Sequence, residues 1–447
     1  VLACAGNPAH RLTQTTRRLC NSFADVAESH SLRTKPFIRL RFVPPAVCAV
    51  AALLAAILPA AIAQAAPFYM GSDVSLLPFI EQQGGVFRQN GVITPAEKIL
   101  ASHGDNLFRL RLFVNPDGTY SDTDGAIQNL SYDLSLAQRL QATGAKILLD
   151  LHYSDTWADP AHQTTPSAWS SDTFSQLKTD VYNYTANTIT SFENAGVTPA
   201  IVQVGNETTD GMLWPDGQIA YSGSTATQDQ SWANYGQLVN SAIAGVRAVQ
   251  PASSPIQVAI HIDGGDKAND GPSFFYDLEH LGGVSDFDIM GLSFYPTATE
   301  TGALTNLKNN LDSLAAANPG KHVMVLETNY AYETNTSGAT GPGAQWAVSP
   351  AGQQQFITDV ATTVASVPNG AGEGMVYWYP ESIQVPNTYI YDGGTNALFD
   401  SSGNMLPAVN AFNLPEPASF TALSLPAVLA LCRRRRLRAP GRGNKAG

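Results

Sequence analysis

Between residues 66 and 413 the chain repeats one pattern: a short apolar run, a polar loop, then a stretch with helical spacing. The apolar runs fall at Tyr69–Ser75, Leu107–Val114, Lys146–Tyr153, Ile201–Glu207, Gln257–Asp263, Asp288–Pro296, Val323–Tyr330 and Gly374–Pro380. Each is short and mostly apolar, as a parallel strand buried on both faces must be. Helix-compatible stretches between them include Ser131–Thr143, Trp232–Val249 and Pro350–Val367. Eight strands alternating with helices predict an α/β fold, a (β/α)8 TIM barrel built as a single domain. An open doubly wound sheet is the alternative. No G-x-G-x-x-G or Walker sequence follows an early strand, which removes the usual reason for that arrangement. After the eighth strand, Asn396–Phe412 is expected to form a turn and a closing helix.

The two ends of the chain break this pattern. Residues 1–65 read as a leader and signal peptide. Arg33, Lys35, Arg39 and Arg41 precede the apolar run from Pro44 to Ala66, which ends in Ala63-Gln-Ala65. Pro59 interrupts the run and a small-residue site closes it, so a secretory signal cleaved near Ala65 is favoured over a membrane anchor. The domain proper is then 66–413. In 414–447, Pro415-Glu-Pro417 precedes the apolar Ala418–Leu431 and the block Arg433–Arg436. That order resembles the PEP-CTERM sorting signal of Gram-negative bacteria, whose tail is processed by an exosortase. The resemblance implies an exported protein, secreted or held at the cell surface, with the export machinery and an exosortase as partners.

Charge separates along the same boundaries. Residues 66–413 hold 34 acidic against 11 basic residues, a net charge of −23. Long-range repulsion at that charge excludes nucleic acid and other polyanions as partners and is compatible with a neutral polysaccharide. All four cysteines (Cys4, Cys20, Cys48, Cys432) lie outside this stretch, so the barrel has no disulfide and no thiol nucleophile or ligand.

On such a barrel the chemistry sits at the C-terminal strand ends and in the loops that follow them. The first strand ends with Asp73. The second carries Arg109 and Arg111 on one side, by alternation. Two arginines in a buried strand need partners. Arg109 is open between a structural ion pair and a site role, and Arg111, nearer the strand end, is preferred as the orienter of a catalytic carboxylate. The third strand and its loop supply Asp150, His152, Trp157, Asp159, His162 and Trp169. Acids, histidines and tryptophans in one loop suit a sugar groove; no H-x-x-x-H or H-E-x-x-H spacing points to zinc. The fourth strand ends in Asn206 and Glu207, the fifth in His261 and Asp263, the sixth in Ser293-Phe-Tyr295-Pro, the seventh in Glu327 and the eighth in Tyr377-Trp378-Tyr-Pro-Glu381. The fourth and seventh strands face each other across a barrel mouth. Two glutamates there fit a glycosidase pair, one acid and one nucleophile, about 5–5.5 Å apart if the reaction retains configuration and ~6.5–9.5 Å if it inverts.

These residues resemble glycoside hydrolase clan A, and within it family 53, the arabinogalactan endo-β-1,4-galactanases. The specific part is Asp150-Leu-His-Tyr-Ser-Asp-Thr-Trp-Ala-Asp-Pro160 with Gln163, Pro166 and Trp169. Gly71–Ser75, Phe108–Phe113, Val204–Thr208, His261–Asp263, Asp286–Asp288, Ser293–Pro296, Glu327–Tyr330 and Asn396–Asp400 extend the likeness over nearly all of 69–412. The resemblance implies a monomeric retaining endo-hydrolase of β-1,4-galactan with Glu207 as acid/base and Glu327 as nucleophile. Asn206 would hold the sugar 2-hydroxyl, Tyr295 and Arg111 would position Glu327, and Trp378 would floor the cleaved subsite. Asp73, Asp150, His152, Trp157, Asp159, Trp169 and His261 complete the expected substrate contacts. The chemistry needs no cofactor. Some bacterial members hold a structural calcium, for which acid-rich loops such as Asp263–Asp270 are the place to look. The family usually has Trp-Glu-Pro at the eighth strand, where this chain has Trp378-Tyr-Pro-Glu381. Another clan A activity on mannan, xylan or β-glucan would share the glutamates and differ in the groove. A non-catalytic surface glycan-binding barrel is the rival of a different class.

Overall fold

The structure, a computed structural model, describes residues 68–120, 125–296, 302–334 and 345–413. The expected signal segment and the C-terminal sorting tail lie outside these residues. Eight parallel strands close into a barrel: β1 (Tyr69–Asp73), β2 (Leu107–Leu112), β3 (Lys146–Leu151), β4 (Ile201–Val204), β5 (Gln257–Ile262), β6 (Ile289–Ser293), β7 (His322–Thr328) and β8 (Gly372–Trp378). Each pairs with its neighbours in sequence, and β1 pairs with β8 to close the ring. All eight expected strands are therefore present. Each ends one to three residues before the expected boundary, because the last residues leave the ladder and turn toward the mouth.

Eight α-helices occur among the described residues: α1 (Leu77–Gln82), α2 (Ala96–Ser102), α3 (Leu130–Gln141), α4 (Phe174–Asn194), α5 (Thr225–Val249), α6 (Asp270–His280), α7 (Ala303–Ala317) and α8 (Pro350–Ala365). Their starts are written into the sequence. Asn129 caps α3 by accepting from Tyr132 N, Thr173 and Gln176 form a capping box on α4, and Ser349 caps α8 with Pro350 behind it. Each such cap contributes about 1 kcal/mol. Helix α5 starts seven residues before the expected Trp232. Its first turn and a half, Thr225–Gln230, has no apolar stripe to betray it, and Ser224 supplies the cap. The closing segment departs from expectation. Pro407–Phe412 is one short 3-10 helix, which buries Ala408, Val409, Ala411 and Phe412.

Alternation along the strands sorts the core into two layers. Val202, Val204, Met290, Leu292, Val323, Val325, Met375 and Tyr377 face outward into the helices. Tyr69, Leu107, Leu148, Ile201, Ala259, Ile289, Met324, Leu326 and Val376 fill the barrel axis. Above that apolar floor the inward positions turn polar: Asp73, Arg109, Asp150, Gln203, His261 and Ser293, all essentially buried. The candidate site stands on this second storey.

Candidate active site

Glu327 faces the mouth only because β7 breaks its alternation. Val325 pairs with Leu292, yet Glu327 pairs with Ser293, so one extra residue lies on the β7 side. The pairing with β8 shows the same surplus between Val325 and Thr328. This β-bulge puts Leu326 and the next residue, Glu327, on the inside together. Leu326 finds room because Gly291 on β6 has no side chain; a Cβ there would lie 2.2 Å from Leu326 Cδ1. Glu207 is aimed by a different device. Beyond β4 the chain passes through Gly205 (φ 95°) and then Glu207 itself in the left-handed region (φ 43°). A non-glycine residue held there is strained, and functional sites are where such strain gathers.

The two glutamates line one cavity of about 430 Å3. Its walls also hold Trp157, Asp159, Asn206, Tyr295 and Trp378. Asn329, Tyr391, Asp392 and Asn396, from the loops after β7 and β8, complete it. Trp378 lies edge-on to Tyr391, with ring centroids 5.0 Å apart. Asp159 is paired with His162 at 2.9 Å. Asn206 is held at both ends: Oδ1 accepts from Arg109 Nη2 at 2.8 Å, and Nδ2 donates to Ala158 O at 2.8 Å.

Arg109 is the hub beneath the cavity. Nη1 lies 2.7 Å from Glu327 Oε1 and 2.8 Å from Asp73 Oδ2; Nη2 lies 2.7 Å from Asp150 Oδ2. Nε donates to Gln203 Oε1 at 3.2 Å. Tyr295 donates its hydroxyl to Glu327 Oε2 at 3.1 Å, so both oxygens of that carboxylate are held. The preference for Arg111 as the orienter of Glu327 is thus corrected. Arg111 sits one layer higher, with Nε 3.5 Å from Asp73 and its guanidinium 4.7 Å from the ring centroids of both Trp157 and Tyr379. It braces the aromatic wall from behind.

Five expected substrate contacts are also corrected. Asp73, Arg111, Asp150, His152 and His261 are at most 1% exposed, and none lines the cavity. They are the charged layer on which the site rests. His152 Nε2 lies 3.0 Å from Asp150, and its Nδ1 accepts from Ala158 N. Trp169 is not in the cavity either; it packs edge-on against Tyr184 of α4, 5.8 Å between centroids. In the acid-rich loop Asp263–Asp270, Asp263 accepts from Thr209 and pairs with Lys267 at 3.3 Å, while Lys267–Asp270 are exposed.

Electrostatics separates the two glutamates. Burial and the facing Glu327 charge push Glu207 up to about 8. Burial raises Glu327 too, but the Arg109 guanidinium opposes it. Two carboxylates facing one cavity cannot both ionise freely, so the shared proton resides on Glu207, the one not in direct contact with an arginine. Burial alone would raise Asp150 as well, yet Arg109 and His152 hold it below its usual value. The arrangement offers an ionised carboxylate and a protonated carboxyl side by side, against an aromatic wall.

Sequence reasoning missed Gln203 and named Ser293 and Glu381 as strand-end residues without giving either a role. Gln203 was visible as an amide on an inward position of an otherwise apolar strand. Ser293 was visible as the last residue of β6, two residues before Tyr295 in the chain. Glu381 is wholly buried, accepts from Leu76 N at 2.9 Å, and is pushed up to about 8 by burial and Asp73.

The model of glycosyl hydrolase family 53 matches residues 69–412. An arabinogalactan endo-beta-1,4-galactanase of Thermothelomyces thermophilus is 36% identical over 350 residues, covering 77% of this chain and 98% of its own length. Among solved structures, one from a study of two fungal beta-1,4-galactanases has a TM-score of 0.66 at 34% identity, over 78% of this chain and 99% of that one. A family 53 catalytic domain from Ignisphaera aggregans also has a TM-score of 0.66, at 31% identity, over 78% of this chain and 96% of that one.

Proposed function

The chain belongs to glycosyl hydrolase family 53, and on that premise we propose that it is an arabinogalactan endo-β-1,4-galactanase that retains configuration at the anomeric carbon. Glu327 is the nucleophile. Its carboxylate attacks the anomeric carbon while Glu207 gives its proton to the departing glycosidic oxygen. The galactosyl–Glu327 ester is then opened by a water that Glu207, now ionised, deprotonates. The proton returns to Glu207 and the sugar leaves with its original configuration.

One observation carries this reading: the two glutamates face one cavity and are supported so that one keeps a proton and the other a charge. Trp157, Trp378 and Tyr391 give the cavity aromatic surface for the apolar faces of pyranose rings. Asn329, whose Nδ2 has no protein partner among the described residues, offers a donor to a sugar hydroxyl. Asn206, held by Arg109, would take the sugar 2-hydroxyl.

Reducing-sugar release from linear β-1,4-galactan is the test, run beside mannan, xylan and cellulose. Galactan is expected to be the preferred substrate, giving short oligosaccharides from mid-chain cuts. No release from galactan overturns the substrate, and proton NMR showing a first-formed α-anomer overturns retention.

The leader with its Ala63-Gln-Ala65 site and the tail from Pro415 support export, with the tail as a sorting signal. Fractionation of cells expressing the full chain, or the chain ended at Asn413, tests it. Equal cytoplasmic retention of both would end the export reading.

A further inference from the structure

Glu207 Oε1 is in contact with Ser293, and Ser293 is in contact with His261. Ser293 Oγ lies 2.6 Å from Glu207 Oε1 and 2.9 Å from His261 Nε2. A serine hydroxyl has one hydrogen, so it donates to one of these neighbours and accepts from the other. Which way it points decides where Glu207 can carry its proton.

His261 resolves the direction. It is wholly buried and, through burial and the nearby Arg109, titrates well below the usual histidine value, so its ring is neutral and carries a single hydrogen. Its Nδ1 faces the backbone N of Glu207 at 3.4 Å and Gln203 Nε2 at 3.1 Å. The backbone N–H can only donate. Gln203 Nε2 is fixed as the amide nitrogen by Asp150 Oδ1 at 2.7 Å and Gly205 O at 3.1 Å, both acceptors. Those two acceptors take both amide hydrogens, so the donor aimed at Nδ1 is the Glu207 N–H. The opposing contact is Asn206 Oδ1, 3.1 Å from Nδ1. That oxygen already accepts from Arg109 Nη2 at 2.8 Å, whereas Nδ1 is the one acceptor of the Glu207 N–H among the described residues. Nδ1 is the acceptor and Nε2 carries the hydrogen. His261 Nε2–H then donates to Ser293 Oγ, and Ser293 must donate to Glu207.

We infer that Ser293 is a positioning residue for the acid/base step: oriented by His261, it donates to Glu207 Oε1 and so confines the transferable proton to Oε2. This rests on the assignment of Glu207 as the acid/base. With Oε1 occupied by an incoming hydrogen, a proton there would meet another. The one carboxyl oxygen left to hold it is Oε2, which makes no protein hydrogen bond among the described residues, and the carboxyl cannot present its protonated oxygen to the wall. The same bond supports the carboxylate formed after the proton leaves, so the device serves both half-reactions. The other charged or titratable groups facing Glu207 are Glu327 from β7, Asp263 and His261 from the end of β5, Arg109 from β2 and Tyr295 beyond β6. Glu327 and Asp263 favour the protonated carboxyl; Arg109 and Ser293 favour the ionised one.

The sign of one titration tests the direction. Full-chain protein labelled with 13C at the glutamate carboxyls is titrated by NMR, and the Glu207 resonance is the one missing from Glu207→Gln. If Ser293 donates, Ser293→Ala removes support for the carboxylate and moves the Glu207 midpoint up, by about one pH unit. If Ser293 instead accepts from the protonated carboxyl, the midpoint moves down. A downward shift or none overturns the inference. Ser293→Cys, of similar size but a weak donor, should shift the same way and serves if the alanine variant does not fold.

Kinetics tests the role. Ser293→Ala should lower turnover of galactan about 10- to 100-fold while changing the glycosylation rate of an aryl galactoside with a good leaving group less than about threefold, since that substrate needs no proton. Equal losses on both would remove the positioning role. Glu207→Ala, run in parallel, separates the premise from the inference: if it too shows equal losses, the acid/base assignment has failed, whereas a leaving-group-dependent loss there with none in Ser293→Ala sinks only the serine.

Discussion

Arg109 Nη1 lies 2.7 Å from Glu327 Oε1, with the arginine wholly buried and the glutamate side chain 8% exposed at the cavity. The same guanidinium holds Asp73 and Asp150, so one cation balances three carboxylates from β1, β3 and β7. Removing it leaves Glu327 and Asp150 without an arginine and Asp73 with only Arg111, at 3.5 Å. Arg109→Met should therefore destabilise the fold by about 3–5 kcal/mol, the cost of breaking a buried pair. Arg109→Lys keeps the charge and loses the fork, and should recover part of the stability and little of the activity. Urea unfolding at pH 7 measures both; a loss under about 1 kcal/mol for Arg109→Met would mean the carboxylates are solvated.

Glu327→Ala should reduce galactan turnover by about 10³-fold or more, because the covalent step has no other nucleophile at that position. The far-ultraviolet circular dichroism should not change. Turnover within about tenfold of the parent would exclude Glu327 as nucleophile.

Glu207→Ala should slow substrates with poor leaving groups by about 10²–10⁴-fold, the usual contribution of a positioned acid, and aryl galactosides with good ones far less in the first step. Stopped-flow release of the aryl group reads that step alone. A uniform loss across leaving groups would count against the acid role.

The pH profile should be a bell. Glu207 must hold its proton to act as acid, so kcat/KM falls as pH rises through the region near 8 to which burial and Glu327 push it. Glu327 must be ionised to attack, so the acid limb reports its protonation. Removing the like charge with Glu327→Gln should lower the Glu207 midpoint in the carboxyl titration described above. An unchanged midpoint would show that burial alone raises it.

Glu381 gives a stability slope of its own. Its carboxyl is pushed up to about 8 in the folded chain against an ordinary 4.5. Below pH 4.5 it is protonated folded or unfolded, and no penalty exists. As pH rises from 4.5 to 8 the unfolded chain ionises it and the folded chain resists, so stability falls over that window. Glu381→Gln keeps an acceptor for Leu76 N and abolishes the slope. At pH 8.5 it should be more stable than the parent by about 2–4 kcal/mol, and equal to it at pH 4. Parallel pH curves for the two proteins would refute the assignment.

The barrel was legible because every strand is a short apolar run and every crossover has helical spacing; burial on both faces leaves a parallel strand no other composition. Glu207 and Glu327 were legible as carboxylates at strand ends, and the loop from Asp150 to Pro160 carried the likeness to one family. What alternation could not supply was depth and facing. Arg109 and Arg111 lie on the same side of β2, two residues apart, and nothing local says which one meets the glutamate. That is set by the height at which β1, β3 and β7 bring their acids together, a property of barrel closure and register. Strict alternation on β7 would even have sent Glu327 outward with Val323 and Val325. One extra residue in the ladder, with space over Gly291 for Leu326, turns it inward. The sequence by itself thus determined the elements and the chemical groups at their ends. Only the tertiary structure decided which of those groups face the cavity and which lie buried beneath it, because side-chain facing depends on pairing with strands far away in the chain.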